Sequence, residues 1–411
     1  MAQLDEIIRD EIRRDGPITF ARFMELALYH PALGYYSGSG VGREPVGWAG
    51  DFFTSGDVSP LWGWAIARQL HQMWRSLGRP SRFDVIEPGA GRGLLAASVW
   101  RYALALDEAW AGALRYTLVD RAAPDSPLRA SREARLADEL AAIPTPADAV
   151  RWVPDLAQVA SDGPITGCVV SNELVDALPT HLVQARDGRL VEIYVALDEQ
   201  TGALVEQVDT PSSQRVAEYL DSYGAPWRAY PDGWRAEVCP AAEDWVREVA
   251  AALGEGFTLT LDYGASARQL YTRDRRRGTL IAYTQHRLSE RPLARPGQQD
   301  LTAHVNFSAL ARVGVSEGLC VARYTTQAAL LSSLGVREQA EQLAARLFPY
   351  ADSERSTDRG QADYLRRAAL RNAVSTLLNP YGLGGFRALI QRRGASAAEA
   401  RHWAESLSTE E

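Results

Sequence analysis

Apolar residues set the rhythm of the first thirty positions. Leu4, Ile7, Ile8 and Ile12 recur at helical spacing among alternating acids and arginines. That pattern predicts an amphipathic N-terminal helix, closed by Gly16-Pro17. A second helix follows, with Thr19 placed to cap it and Phe23, Leu26 and Ala27 on its apolar face. Residues 31–59 are rich in Gly, Pro, Tyr and Trp and carry no period, which predicts a long functional loop. Trp62, Ile66, Leu70 and Trp74 then stand four apart, predicting a helix over 60–77.

From residue 83 the period switches between strand and helix. Strand 83–87 is followed by helix 92–107, strand 116–120, an arginine-rich helix at about 127–141, and strands 150–153 and 167–171. This alternation predicts an α/β fold with a doubly wound, mainly parallel sheet. Leu182–Gln184 and Leu190–Leu197 flank Asp187-Gly188 and predict a hairpin. Residues 200–240 contain four prolines and resist assignment. Helix 241–253 and strand 257–261 come next. Apolar runs at 279–283 and 319–324 are available to complete seven strands, and helices are expected over 326–350 and 361–378 around a polar linker at 351–360. The resulting organisation is a helical segment over 1–80, a core over 81–330 with an insertion at about 181–240, and a C-terminal helical segment over 331–411.

Length agrees with that division, since 411 residues exceed one ordinary core. A hydrophobic share of 46% and a charged share of 23% describe a soluble globular chain. The net charge of −8 argues against nucleic acid as a partner. All 44 basic residues are arginine, a usage that codon bias in a GC-rich genome explains. Cys168, Cys239 and Cys320 are far apart and in no metal-ligand spacing. They read as thiols in a reducing, cytoplasmic setting, with no disulfide and no metal site expected. No apolar run is long enough to cross a membrane, and the N-terminus resembles neither a signal nor a transit peptide.

The chemistry concentrates at Phe83–Leu95, where an apolar strand runs through Glu87 into Gly89, Gly91 and Gly93 and then into a helical period. Glycines at alternate positions allow positive φ and close approach of a ligand. The spacing is G-x-G-x-G rather than the dinucleotide pattern G-x-G-x-x-G, and an acid stands two residues ahead of the first glycine. A pyrophosphate disfavours that acid, whereas an ammonium or a ribose hydroxyl needs an acceptor. The loop therefore favours S-adenosyl-L-methionine over NAD.

Two further acids follow in order at strand ends. Asp120 lies 31 residues beyond Gly89, where a carboxylate can accept from both ribose hydroxyls. Asp155 can accept from an adenine amino group while Leu156 packs on the ring. The fourth strand runs into Ser171-Asn172-Glu173-Leu174-Val175-Asp176, beside the expected topological switch point. Glu173 and Asp176 are three apart, suited to one helical face, and a carboxylate pair there suits the fork of a guanidinium. Asn172 can orient cofactor or nucleophile. The alternative makes Asn172 a helix cap and the acids first-turn residues, and the residues alone do not separate the two readings.

These residues carry a resemblance. The chain resembles the MidA family of S-adenosylmethionine-dependent methyltransferases, whose mitochondrial members assist assembly of respiratory complex I. The blocks are Gly16–Phe20, His30–Tyr36, Gly50–Ser55, Phe83–Gly93, Ser171–Pro179, Leu261–Gly264, Gly297–Phe307 and Gln327–Gly335, in order along most of the chain. The resemblance implies a class I methyltransferase core and methyl transfer to a protein arginine. It places Gly50, Asp51, Phe52 and Thr54 near the cofactor, and Asp300, Thr302 and His304 near the substrate opening. Asn306 replaces a usual Asp, and Gly56-Asp57 stands where the family tends to have Pro-Glu. The Leu383–Arg387 stretch is shorter and less acidic than usual. These departures bear on substrate identity more than on cofactor binding.

The expected function is thus a methyltransferase acting on an arginine-containing protein segment. Glu87, Gly89, Gly91, Gly93, Asp120, Asp155, Leu156 and Asn172 serve the cofactor, and Glu173, Asp176 and His304 serve the acceptor. The competing classes are a non-catalytic cofactor-binding assembly factor and, against the loop spacing, an NAD-dependent oxidoreductase. Monomer and homodimer are both compatible with the sequence.

Overall fold

Seven strands form the central sheet: β1 (Phe83–Pro88), β2 (Leu114–Val119), β3 (Val150–Val153), β4 (Ile165–Asn172), β5 (Leu253–Asp262), β6 (Cys320–Thr326) and β7 (Arg387–Arg393). The computed structural model describes residues 2–37, 44, 47, 54–122, 125–146, 148–284, 287–353 and 356–394. Their order across the sheet is β6-β7-β5-β4-β1-β2-β3. β3, β2, β1, β4 and β5 run parallel, and β7 lies antiparallel between β5 and β6.

Burial on both faces explains why these strands read as near-continuous apolar runs. Phe83, Val85, Cys168 and Val170 point into one core, closed by helices Pro60–Ser76 and Leu94–Leu106 and by the C-terminal helices. Ile86, Val169 and Ile165 point into the other, closed by Leu156–Ser161, Pro240–Ala252 and Phe307–Ser316. The first two helices cross tightly. A Cβ at Gly63 would lie 2.2 Å from the Cβ of Ser98, so only glycine fits that crossing.

The expected N-terminal elements are present, with Thr19 accepting from Arg22 N at the start of helix Phe20–Tyr29. The hairpin is His181–Arg186 and Arg189–Leu197, turning through Asp187 and Gly188 at φ of 50° and 69°. Two positive φ angles give the strand twist that a two-residue turn requires. The hairpin forms a second sheet with Ile18–Thr19, Leu204–Asp209 and Arg235–Val238. The unassigned stretch at 200–240 thus supplies two strands and helix Gln214–Ser222.

One strand expectation fails. The run at 279–283 does not enter the central sheet; Ile281–Thr284 belongs to a separate three-stranded sheet with Arg287–Ser289 and Asp300–Thr302. The seventh central strand is β7, from the segment expected to be helical. Its Ala388, Leu389, Ile390 and Gln391 are buried while arginines occupy both ends, a short apolar signal inside a basic frame. The three cysteines are free; Cys168 is buried and the other two are half-buried. No helix among the described residues is long and apolar enough to cross a membrane.

Candidate active site

β1 and β4 are neighbours, and the connections leave them in opposite directions, which opens a crevice at their carboxyl ends. A cavity of about 230 Å³ lies there. Its floor is the glycine loop, where Gly89, Gly91 and Gly93 have φ of 71°, 51° and 72°. The amides of Gly89 and Ala90 donate to Val119 O at 3.0 and 3.3 Å, tying the loop to β2. A Cβ on Gly89 would come within 2.8 Å of Leu174 Cδ1, and the left-handed φ independently favours glycine there.

Glu87 is the penultimate residue of β1, just ahead of the loop. It is buried, and its Oε2 accepts from the Tyr116 hydroxyl at 2.8 Å. Burial pushes its carboxyl up to about 8, against the lowering effect of that bond. A desolvated acid of this kind favours a cationic neighbour.

Asp120 follows β2 and is also buried. Its Oδ1 accepts from Ala122 N at 3.0 Å and its Oδ2 from Arg132 Nη1 at 2.6 Å. Arg132 reaches back to Glu44 with Nη2 and Nε at 2.7 and 2.9 Å. A carboxylate offers about four lone-pair sites, so Asp120 retains acceptor capacity for a ligand. Asp155 caps helix Leu156–Ser161 by accepting from Gln158 N at 2.8 Å, and it lines the exposed rim of the same cavity. Leu156, Trp245 and Leu178 line the cavity as apolar surface.

The segment after β4 departs from the expected helix. Asn172 is the last strand residue, Glu173 takes a left-handed φ of 49°, and only a single 3₁₀ turn, Val175–Ala177, follows. Asp262 at the end of β5 imposes this shape, its Oδ2 accepting from the amides of Leu174, Val175 and Asp176 at 3.2, 2.9 and 3.3 Å. Glu173 and Asp176 therefore share no helical face. Glu173 lines the cofactor cavity with Asn172. Asp176 lines a smaller neighbouring cavity with His304, Glu237 and Cys239. The expected acid pair is thus one acid in the cavity and one behind it.

Glu173 Oε1 accepts from Ser55 N and from Asn172 Nδ2, both at 3.1 Å. Because that carboxamide nitrogen faces the carboxylate, Asn172 Oδ1 faces away, and among the described residues it finds no donor. No donor among them reaches Glu173 Oε2 either. Burial, reinforced by nearby Asp176 and Asp57, raises the Glu173 carboxyl to about 8. Burial likewise raises Asp176 and Asp262.

His304 packs edge-on against Tyr263 at 5.4 Å, and burial together with Arg275 lowers its imidazole to about 4. It is a neutral, partly buried ring outside the cofactor cavity. Asp300 and Thr302 are buried, and Asp300 accepts from the Tyr36 hydroxyl at 2.8 Å. That bond fixes Tyr36 against Tyr29 in the cavity wall, with ring centres 5.7 Å apart. Asn306 caps helix Phe307–Ser316 and donates to the Tyr219 hydroxyl at 3.4 Å, a structural use of the residue. Thr54 lines the cavity and caps a short helix, Ser55–Val58. Gly50, Asp51 and Phe52 lie outside the described residues.

Sequence reasoning missed several wall residues: Tyr29, Tyr36, Trp62, Arg92, Arg132 and Trp245. The two tyrosines lie at or within family-like blocks, which is a signal for them. Arg92 stands inside the glycine loop itself, which is a local signal, whereas Arg132 and the tryptophans meet the site only through long-range packing.

The donor set fits S-adenosylmethionine. A bare-backbone cradle sits between a buried acid for an ammonium, an acid with spare acceptor capacity for a ribose, and a rim acid beside an apolar shelf for adenine. Strand order, reversed last strand and glycine cradle together define a class I S-adenosylmethionine-dependent methyltransferase. The model of the family described as "Putative S-adenosyl-L-methionine-dependent methyltransferase" matches residues 65–325, and the chain belongs to that family, the MidA type its sequence blocks resemble. A superfamily member from Burkholderia thailandensis, solved bound to S-adenosyl-homocysteine, is 31% identical. It aligns over 97% of this chain and 94% of its own with a TM-score of 0.80. Among curated relatives, the Drosophila melanogaster protein named "Protein arginine methyltransferase NDUFAF7 homolog, mitochondrial" is 28% identical over 83% of this chain and 77% of its own length. The Homo sapiens protein named "Protein arginine methyltransferase NDUFAF7, mitochondrial" is 28% identical over 74% of this chain and 67% of its own. S-adenosylmethionine is the cofactor of this methyltransferase.

Proposed function

We propose that the protein transfers methyl groups to an arginine side chain of another protein, gripped by Glu173 and Asn172. The observation that carries this reading is the pair of acceptors, Glu173 Oε2 and Asn172 Oδ1, which find no donor among the described residues beside the cofactor cavity. A planar guanidinium presents parallel N–H donors that suit two neighbouring acceptors, one of them charged. The curated relatives named as protein arginine methyltransferases support the same acceptor.

S-adenosylmethionine, when bound, supplies an electrophilic methyl group on a sulfonium. The protein's part is alignment and charge. Ser55 N and Asn172 Nδ2 fix the Glu173 carboxyl so that its free oxygen is presented to the acceptor. An ionised Glu173 holds the guanidinium by two opposite charges in a water-poor site and stabilises the positive charge that grows on the attacked nitrogen. A carboxyl poised near 8 also suits acceptance of the proton that this nitrogen loses after methylation. Asp176 acts behind it by raising its proton affinity, and Asp262 shapes the backbone that presents it.

The family resemblance points to a respiratory complex I subunit as the acceptor protein. The purified protein, a labelled methyl donor and a cell lysate form the test. Label on a protein, located by mass spectrometry at an arginine ω-nitrogen, supports the reading; cofactor binding with no labelled protein supports the non-catalytic assembly factor.

A further inference from the structure

The acids of the cavity fit the ammonium, ribose and adenine of the cofactor, whereas the carboxylate of its methionine end calls for a cation. Arg92 stands within the glycine loop, between Gly91 and Gly93, and lines the same cavity as Glu87. Its side chain is 14% exposed. Nη2 pairs with Asp57 Oδ1, and no other acceptor among the described residues takes its remaining N–H groups. Asp57 is otherwise engaged by its own helix cap, accepting from Thr54 N and Oγ1 at 2.9 and 3.1 Å. A Cβ on Gly47 would come within 2.7 Å of Arg92 Nη1, so Gly47 lies directly against this guanidinium.

The cavity holds two other arginines, and neither is as free to answer an anion there. Arg132 already carries Asp120 and Glu44. Arg121 is exposed and lies over the Tyr29 ring, its guanidinium carbon 5.1 Å from the centroid. A buried acid ahead of the glycine loop and a guanidinium with spare donors within it thus line the same cavity. That is the charge pattern complementary to an α-amino acid zwitterion.

We infer that Arg92 is the residue that recognises the methionine carboxylate of the cofactor, with Glu87 taking the ammonium. Asp57 fixes the guanidinium and leaves its other edge for the ligand. This assignment concerns the methyl donor and stands whatever the acceptor is.

The test compares S-adenosylhomocysteine with its decarboxylated analogue, which lacks only that carboxylate, by calorimetry. Wild-type protein is expected to prefer the carboxylate-bearing ligand by at least about tenfold. In Arg92→Met the preference is expected to fall to within about twofold, while affinity for the decarboxylated analogue changes by less than about threefold. Equal weakening of both ligands would show that Arg92 only braces Asp57 and its segment, and would overturn the assignment. A preference retained in Arg92→Met would overturn it too. Should that variant show no cooperative melt, Arg92→Lys decides. It keeps the charge without the fork, so a preference reduced severalfold supports the assignment and an unchanged one refutes it.

Discussion

Replacing Asp120 by Asn tests the nucleoside site through a change of one atom. In the wild-type protein Asp120 holds Arg132 at 2.6 Å and Ala122 N at 3.0 Å while facing the cavity. The carboxamide has one acceptor oxygen in place of two and no charge, and its NH₂ opposes donors wherever it turns. Charge-assisted bonds to a ribose hydroxyl contribute about 1.5–3 kcal/mol, so a loss near 2 kcal/mol weakens S-adenosylhomocysteine about 30-fold. The unliganded protein suffers less. Arg132 keeps both bonds to Glu44, so destabilisation falls to about 1–2 kcal/mol, below the 3–5 kcal/mol of a buried charge left without any partner. Calorimetry gives the affinity, and denaturant unfolding with and without ligand gives the stability. With ligand at one hundred times the wild-type Kd, linkage stabilises wild type by about 2.7 kcal/mol and the variant by only about 0.9 kcal/mol. Affinity within twofold of wild type in a folded Asp120→Asn protein would refute the ribose role.

The titration of buried acids supplies further tests. With Glu173 raised to about 8 and the acceptor cation binding its ionised form, acceptor KM at saturating donor should fall about tenfold per pH unit up to pH 8 and level off above it. Glu173→Gln should flatten that profile. Glu87 and Glu173 both rise from an ordinary value near 4.5 to about 8, so the folded cofactor-free protein binds more protons than the unfolded chain between those values. Their contribution to stability is fully present below pH 4.5 and is lost as pH rises through 8, a slope that unfolding at pH 6 and pH 8 should reveal and Glu87→Gln should reduce. Gly89→Ala meets both a left-handed φ and Leu174 at 2.8 Å, and should cost about 1–3 kcal/mol of stability with a loss of cofactor affinity. Leu174→Ala should restore part of that loss by removing the collision, leaving the φ strain.

Local patterns were legible where one element carried the signal. β1 to β4 and their helices show in the periods of 83–171, and Glu87, Asp120 and Asp155 could be placed because each ends or follows a strand. The identity of the last central strand was not legible. β7 pairs with β5 across more than a hundred residues, and its arginine-flanked apolar centre is too short to announce itself. The relation of Glu173 to Asp176 was misread for a different reason. Spacing of three implies a shared face only on a helix, and Asp262, 86 residues away, holds their backbone in another shape. Arg92 with Asp57 and Arg132 with Glu44 were invisible for the same cause, since a pairing between distant residues leaves no local pattern.

In the proposed division of labour, Glu87, Asp120, Asp155 and the glycine loop hold the donor while Glu173 serves the acceptor. The most direct test of that division is the Glu173→Gln protein, measured for S-adenosylhomocysteine affinity by calorimetry and for methyl transfer to arginine in single turnover. Affinity is expected to stay within about twofold of wild type and turnover to fall by about 10² or more, the usual weight of a positioned acid or base. Equal losses in both would move Glu173 into the donor's shell, and turnover unchanged with affinity intact would remove it from the acceptor site.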